Sequence, residues 1–98
     1  MDFIVVLAKV YPKEGCKDTV IELSDDLIEN TLAEEGNIDY QLLKSLNDNT
    51  LTFVEKWQSL DALKKHMDSH HFQLFGSETQ DFIEKMDIQV IGAEELNL

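Results

Sequence analysis

Residues 3–11 have the sequence Phe-Ile-Val-Val-Leu-Ala-Lys-Val-Tyr, and this stretch decides how the rest of the chain is arranged. Its β-branched and aromatic residues favour a strand, and Pro12 ends the ladder because it has no N–H to donate. The alternating side chains are apolar on both faces, with Phe3, Val5, Leu7 and Tyr11 on one face and Ile4, Val6, Ala8 and Val10 on the other. Such a strand is covered on two sides. We therefore expect a sheet with a layer against each face.

The remaining periodicity predicts two helical regions and three further strands. We expect a helix over 16–35 with Val20, Leu23, Leu27, Thr31 and Leu32 inward, strands over 38–46, 50–57 and 87–91, a short helix from Ser59, and a helical stretch after His70 carrying Phe72, Phe75, Phe82, Ile83 and Met86. The order β-α-β-β-α-β is that of an α+β, ferredoxin-like split βαβ fold. We expect one domain over residues 1–98.

The sheet of such a fold has one uncovered face, because right-handed crossovers place both helical regions on the same side. The first strand is nevertheless apolar on both sides, and no element is left to cover the second one. Large exposed apolar patches are rare in monomers. A second copy packed sheet against sheet covers them with two-fold symmetry, so we expect a homodimer.

The charge composition excludes several classes of partner. Twenty acids stand against eight lysines and no arginine, for a net charge of −12. A nucleic-acid binder needs a basic face, and anionic membrane surfaces also repel such a chain. Acid pairs such as Glu34-Glu35 are expected to be solvated. Cys16 is the only cysteine, so we expect no internal disulfide and a cytoplasmic location, and no apolar run is long enough to span a membrane.

A candidate active site lies where the third strand meets the following helix. Glu55 shares its strand face with Phe53 and Trp57, and His66 follows on the helix. A neutral imidazole acts as a general base near pH 7, and a carboxylate on its other nitrogen orients it. We therefore predict His66 as the base and Glu55 as its orienting partner; the alternative is a structural core histidine. The predicted substrate-binding residues are Tyr40, Phe53, Trp57, His70, Phe72 and Phe75.

A metal site is the less favoured interpretation of the histidines. His66 and His70 are four residues apart, and His71, Asp68 or Glu55 would have to supply a third ligand. The glutamate of a metalloprotease helix is missing after His66, and a bend near Ser69 would spoil the spacing. No glycine-rich phosphate loop is present either. We expect neither a bound metal nor a nucleotide or flavin cofactor.

Together these features resemble the antibiotic biosynthesis monooxygenase (ABM) domain family. The similar segments are residues 4–10, Gly15 before a long helix, Tyr40, Glu55-x-Trp57 with Ser59 and Ala62-Leu63, and His66-x-x-Ser69-x-His71-Phe72. The resemblance implies a dimeric α+β barrel. The family includes quinol and polyketide monooxygenases that use neither metal nor flavin, haem-degrading enzymes, and an isomerase of a phosphorylated signalling sugar.

The chain lacks residues that two of these branches of the family use. The haem-degrading branch relies on an asparagine, a tryptophan and a histidine, where this chain has Ala8, His66 and Gly76. The sugar-phosphate branch is weakened by the absence of arginine. The expected function is thus a cofactor-independent monooxygenase of a small aromatic, quinol or polyphenolic substrate. The alternatives are a small-carbonyl isomerase and a non-catalytic binding or stress-related module.

Overall fold

The computed structural model describes residues 2–98 and confirms the α+β, ferredoxin-like class, with the second helical region divided into two helices. The elements are β1 (Asp2–Pro12), α1 (Lys17–Leu32), β2 (Asn37–Lys44), β3 (Leu51–Trp57), α2 (Leu60–Met67), α3 (His70–Thr79) and β4 (Ile83–Glu94). Over this described range, none of the helices combines the length and apolar character needed to cross a bilayer.

The sheet has the strand order β2-β3-β1-β4, and every neighbouring pair is antiparallel. Residues directly opposite each other in a ladder point to the same face. Glu55 on β3 is paired with Tyr40 on β2 and with Val6 on β1, and Val6 is paired with Val90 on β4. The register thus places a carboxyl group and a phenol side by side on one face of the sheet.

On β1 and β3, that face packs against the helices and holds the core, whereas its β4 part is exposed. Val6, Val10, Phe53 and Trp57 are at most 3% exposed there. The opposite face of β1, with Phe3, Val5, Leu7 and Tyr11, is only half-buried. The predicted division of β1 into two apolar faces is therefore correct, and only one of them is covered within the described chain.

The fourth strand is longer than predicted. β4 runs from Ile83 to Glu94 rather than over 87–91, so Ile83 and Met86 belong to a strand and Phe82 to the turn before it. The reason is that β4 pairs along the whole of β1, which sequence periodicity does not reveal.

On α1, Leu32 is 53% exposed, whereas Ser24 is fully buried in the inward row. The Ser24 hydroxyl donates to the carbonyl of Val20 at 2.7 Å, and this bond makes a polar residue tolerable there. The inward row of α1 consists of Val20, Ser24, Leu27 and Thr31.

Gly36 fixes the turn that joins α1 to β2 and brings the end of α1 against α2. Its φ is +88°, and an added Cβ would lie 2.6 Å from the Cβ of Ala62. Its carbonyl also accepts a hydrogen bond from the N–H of Gln58 at 2.8 Å. The turn therefore requires glycine both for its left-handed backbone and for close contact with α2.

We expect Gly36→Ala to lower the free energy of unfolding by at least about 1–2 kcal/mol, the cost of the left-handed backbone alone. Gly76→Ala in α3 is the control, because an added Cβ there meets no atom within 4 Å. It should raise stability by about 0.5–1 kcal/mol through helix propensity. Urea unfolding of both variants measures the two changes in the free energy of unfolding. An equal change in the two variants would contradict the role of Gly36.

Candidate functional site

A cavity of about 300 Å³ lies between the helix-facing side of the sheet and the helices. Most of its walls are apolar side chains from β1, β4, α2 and α3. The predicted site residues that line it are Tyr40, Phe53, Glu55, His66, Phe72 and Phe75. An apolar cavity with a few convergent polar groups is typical of a small-molecule site.

His66 is held in place by the helix that carries it. The Ser59 hydroxyl caps α2 by accepting from the N–H of Ala62, and the inward face of α2 then presents Leu63 and His66. The imidazole is 1% exposed. Its ring centroid lies 4.7 Å from that of Trp57, 5.0 Å from that of Phe72 and 5.4 Å from that of Tyr40. The ring is therefore fixed by packing on several sides.

The partner of this imidazole is Glu34, and the prediction of Glu55 in that role was wrong. His66 Nδ1 lies 2.6 Å from Glu34 Oε2. Since a carboxylate oxygen accepts, Nδ1 carries the proton and Nε2 keeps its lone pair. Nε2 is buried and has no hydrogen-bond partner among the described residues. Glu55 instead accepts a hydrogen bond from Trp57 Nε1 at 3.0 Å.

Sequence reasoning missed Glu34 because it is 32 positions from His66 and lies in an acid pair expected to face solvent. Only Glu35 is exposed; Glu34 is partly buried. The available signal was Gly36, since a left-handed glycine after a helix turns the chain back on itself. Nothing local indicated that this turn would lie against α2.

His70 and Trp57 do not line the cavity. Trp57 is fully buried behind His66, and His70 is exposed at the start of α3. The predicted four-residue spacing of His66 and His70 fails because α2 ends at Met67 and Ser69 caps a new helix. This break leaves His71, rather than His70, beside Glu34, with His71 Nε2 3.2 Å from Glu34 Oε2.

Burial dominates the electrostatics of the ionisable groups at the cavity. It raises the pKa of Glu55 to about 7, a shift opposed by the hydrogen bond from Trp57 and reinforced by the charge of Glu34. Burial, with the charges of Glu55 and Glu34, raises the pKa of Tyr40 above its usual value. Burial also lowers the pKa of His66, although the hydrogen bond to Glu34 opposes it. At neutral pH the cavity thus contains a neutral imidazole and a neutral phenol.

Residues 3–77 match the family model described as antibiotic biosynthesis monooxygenase. The Bacillus subtilis protein named "Putative monooxygenase YcnE" is 30% identical over 81 residues, which cover 82% of this chain and 85% of that protein. The match spans both the Glu34 turn and the helix that carries His66.

Solved structures share the fold of this chain. A conserved protein from Methanosarcina mazei is 32% identical with a TM-score of 0.88, covering 93% of this chain and 92% of that one. A Caulobacter crescentus protein named for the same family superposes with a TM-score of 0.89 over 95% of this chain and 91% of its own. At 24% identity, the second comparison supports the fold alone.

Proposed function

Since this chain belongs to the antibiotic biosynthesis monooxygenase family, we propose that it oxidises a small phenol or quinol by direct reaction with O₂, without metal or flavin. The observation that carries the proposal is the neutral imidazole at an apolar cavity, with Nδ1 held by Glu34 and Nε2 free to accept a proton. A base, an aromatic-walled cavity and exclusion of water are what this chemistry requires of a protein.

The cavity suits a flat, weakly acidic ring. Phe53 and Phe75 meet edge to face with centroids 5.7 Å apart, and Tyr40 lies 5.5 Å from Phe53. These side chains offer ring faces and edges against which an aromatic substrate can stack. With no arginine in the chain and a net charge of −12, a phosphorylated or strongly anionic substrate is disfavoured.

The reaction begins when His66 Nε2 takes the phenolic proton, and Glu34 stabilises the imidazolium that forms. The phenolate passes one electron to O₂, and the radical pair joins to form a C–O bond para to the phenolate oxygen. The resulting peroxide takes up a proton, its O–O bond breaks as the ring carbon loses its hydrogen, and water leaves. The sum is phenol plus O₂ giving quinone plus water.

Glu55 is the group we propose as proton donor to the peroxide. It lines the same cavity as His66 and has a pKa of about 7, so a large fraction of it carries a proton at neutral pH. A carboxylic acid with a pKa near the working pH can both release and regain a proton in each cycle. This role replaces the orienting one expected from the sequence.

The active form that we propose is a homodimer formed through the uncovered face of the sheet. Val5, Leu7 and Tyr11 are half-buried there, and Leu43 on β2 is 47% exposed. A second copy would cover this apolar face and form the floor of an α+β barrel. A monomer in sedimentation velocity at micromolar concentration would contradict it. A reducing cytoplasm suits the single Cys16, which has no disulfide partner.

Oxygen consumption tests the function directly. Chelator-treated, flavin-free protein is incubated with a panel of phenols and quinols while an electrode records O₂ uptake, and ¹⁸O₂ follows the incorporated atom. We expect uptake with at least one ring substrate and label in the product. Turnover of a hydroxy-carbonyl compound without O₂ uptake would instead indicate an isomerase that uses the same base. Binding of ring compounds without any turnover would favour the non-catalytic alternative.

A further inference from the structure

Three residues that could bind a metal ion lie close together where the end of α1 approaches α2 and α3, and the proposed reaction uses only two of them. They are Glu34 after α1, His66 on α2 and His71 on α3, which we call the Glu34–His66–His71 cluster. One ligand atom from each of these residues lies within 4.8 Å of the other two, and Glu34 Oε2 contacts both His66 Nδ1 and His71 Nε2. Glu34 and His71 do not line the cavity, so His66 is the member of the cluster that also borders the proposed substrate site.

Only one of the two close contacts within the cluster is a hydrogen bond. His66 Nδ1 donates to Glu34 Oε2, but His71 Nε2 lies 3.2 Å from the same oxygen without the geometry of a hydrogen bond. That nitrogen is buried and has no partner among the described residues. An unpaired buried polar atom is costly, and a cation shared by all three groups removes the cost.

We infer that the Glu34–His66–His71 cluster binds a divalent transition-metal ion of the zinc class. Two imidazoles and one carboxylate form a ligand set that such ions favour, whereas Mg²⁺ and Ca²⁺ prefer oxygen ligands only. Bonds of 2.0–2.1 Å in a tetrahedral site put the ligand atoms about 3.3 Å apart. The 3.2 Å pair already fits, whereas the 2.6 Å pair needs to open by about 0.7 Å to reach the tetrahedral spacing.

The cluster lies near the protein surface, and two of its three side chains can move. The side chains of Glu34 and His71 are 16% and 20% exposed, although His71 Nε2 itself is buried. A small shift of these two side chains lets an ion enter, and water can then complete its coordination. His66 is fixed by packing, but Glu34 is a flexible side chain in the turn after α1, and its movement can lengthen the short contact. The net charge of −12 raises the local concentration of cations.

Metal binding has a consequence for His66 that rests on the proposed function. An ion on Nδ1 takes the lone pair of that nitrogen, so the ring proton moves to Nε2. The nitrogen available to the substrate changes from acceptor to donor, and His66 can no longer act as a base. The ion is therefore an inhibitor of the proposed reaction rather than its cofactor.

Calorimetric titration of the untagged protein with ZnCl₂ tests the site without reference to activity. We expect one ion per chain for the wild type, no binding of Mg²⁺, and at least roughly tenfold weaker zinc binding for His71→Gln, which removes a ligand. His70→Gln is the matched control, because His70 is the exposed neighbour outside the cluster and its loss should leave binding unchanged. Co²⁺ should give the intense visible bands of a tetrahedral site in the wild type.

The outcomes separate the metal site from the function. Equal zinc affinity of His71→Gln and the wild type, or equal losses in His71→Gln and His70→Gln, would overturn the site. Circular dichroism shows whether His71→Gln is folded, and Glu34→Gln is the second variant if it is not. If zinc binds as expected but no phenol is oxidised, the site stands and the proposed function fails. If phenol is oxidised and zinc at saturation does not slow it, the tautomer argument fails.

Discussion

His66→Gln is expected to lower kcat for phenol oxidation by about 10²–10⁴-fold, the usual contribution of a general base. Glutamine can keep a hydrogen bond to Glu34 and occupies a similar volume, but it cannot accept a proton as an imidazole nitrogen does. Steady-state O₂ uptake measures the loss, with KM followed separately. Lys65→Gln is the control, since Lys65 is exposed on the same helix and outside the cavity.

Glu34→Gln separates chemistry from folding, because His66 is fully buried and its replacement also perturbs the core. Glutamine at position 34 can still contact Nδ1 but no longer carries the charge that stabilises an imidazolium. We expect a smaller loss in kcat than in His66→Gln. A general base contributes at least about 10²-fold to kcat. If folded His66→Gln lost less than about fivefold in kcat, His66 would not be the general base.

The second large effect is a pH dependence of stability caused by Glu55. Its pKa is about 7 in the folded protein and 4.5 in the unfolded chain. Between these values the folded protein holds a proton that the unfolded chain releases. This group therefore favours the folded state most at low pH, and that advantage is lost as pH rises from 4.5 through 7. The difference amounts to about 3 kcal/mol, at 1.36 kcal/mol per pH unit.

Glu55→Gln isolates this contribution, since glutamine mimics the neutral acid and can still accept from Trp57 Nε1. The other titratable groups facing Glu55 are Tyr40 on β2, His66 on α2 and Glu34 after α1, and all remain in the variant. Urea unfolding from pH 4.5 to 8 should show the variant gaining about 3 kcal/mol over the wild type towards high pH. Parallel curves would show that Glu55 titrates normally.

The uneven success of the sequence predictions at this site has a physical cause. The prediction that Glu55 and Phe53 share one face of β3 is confirmed, because side chains alternate strictly along a strand, and the structure shows that this face is the buried one. The helical spacing of His66 and His70 failed because Ser69 caps a new helix and changes the phase of the side chains. Periodicity holds only within an element.

The sequence by itself determined the strand and helix order and the two apolar faces of β1, because these follow from local periodicity and from which residues are apolar. It also indicated most of the aromatic cavity residues, but not that Trp57 is buried outside the cavity. Tertiary structure alone decided that Glu34, not Glu55, holds His66, and that His71 joins them. Those contacts depend on how the turn at Gly36 packs against α2, and packing between elements distant in the chain leaves no periodic signal.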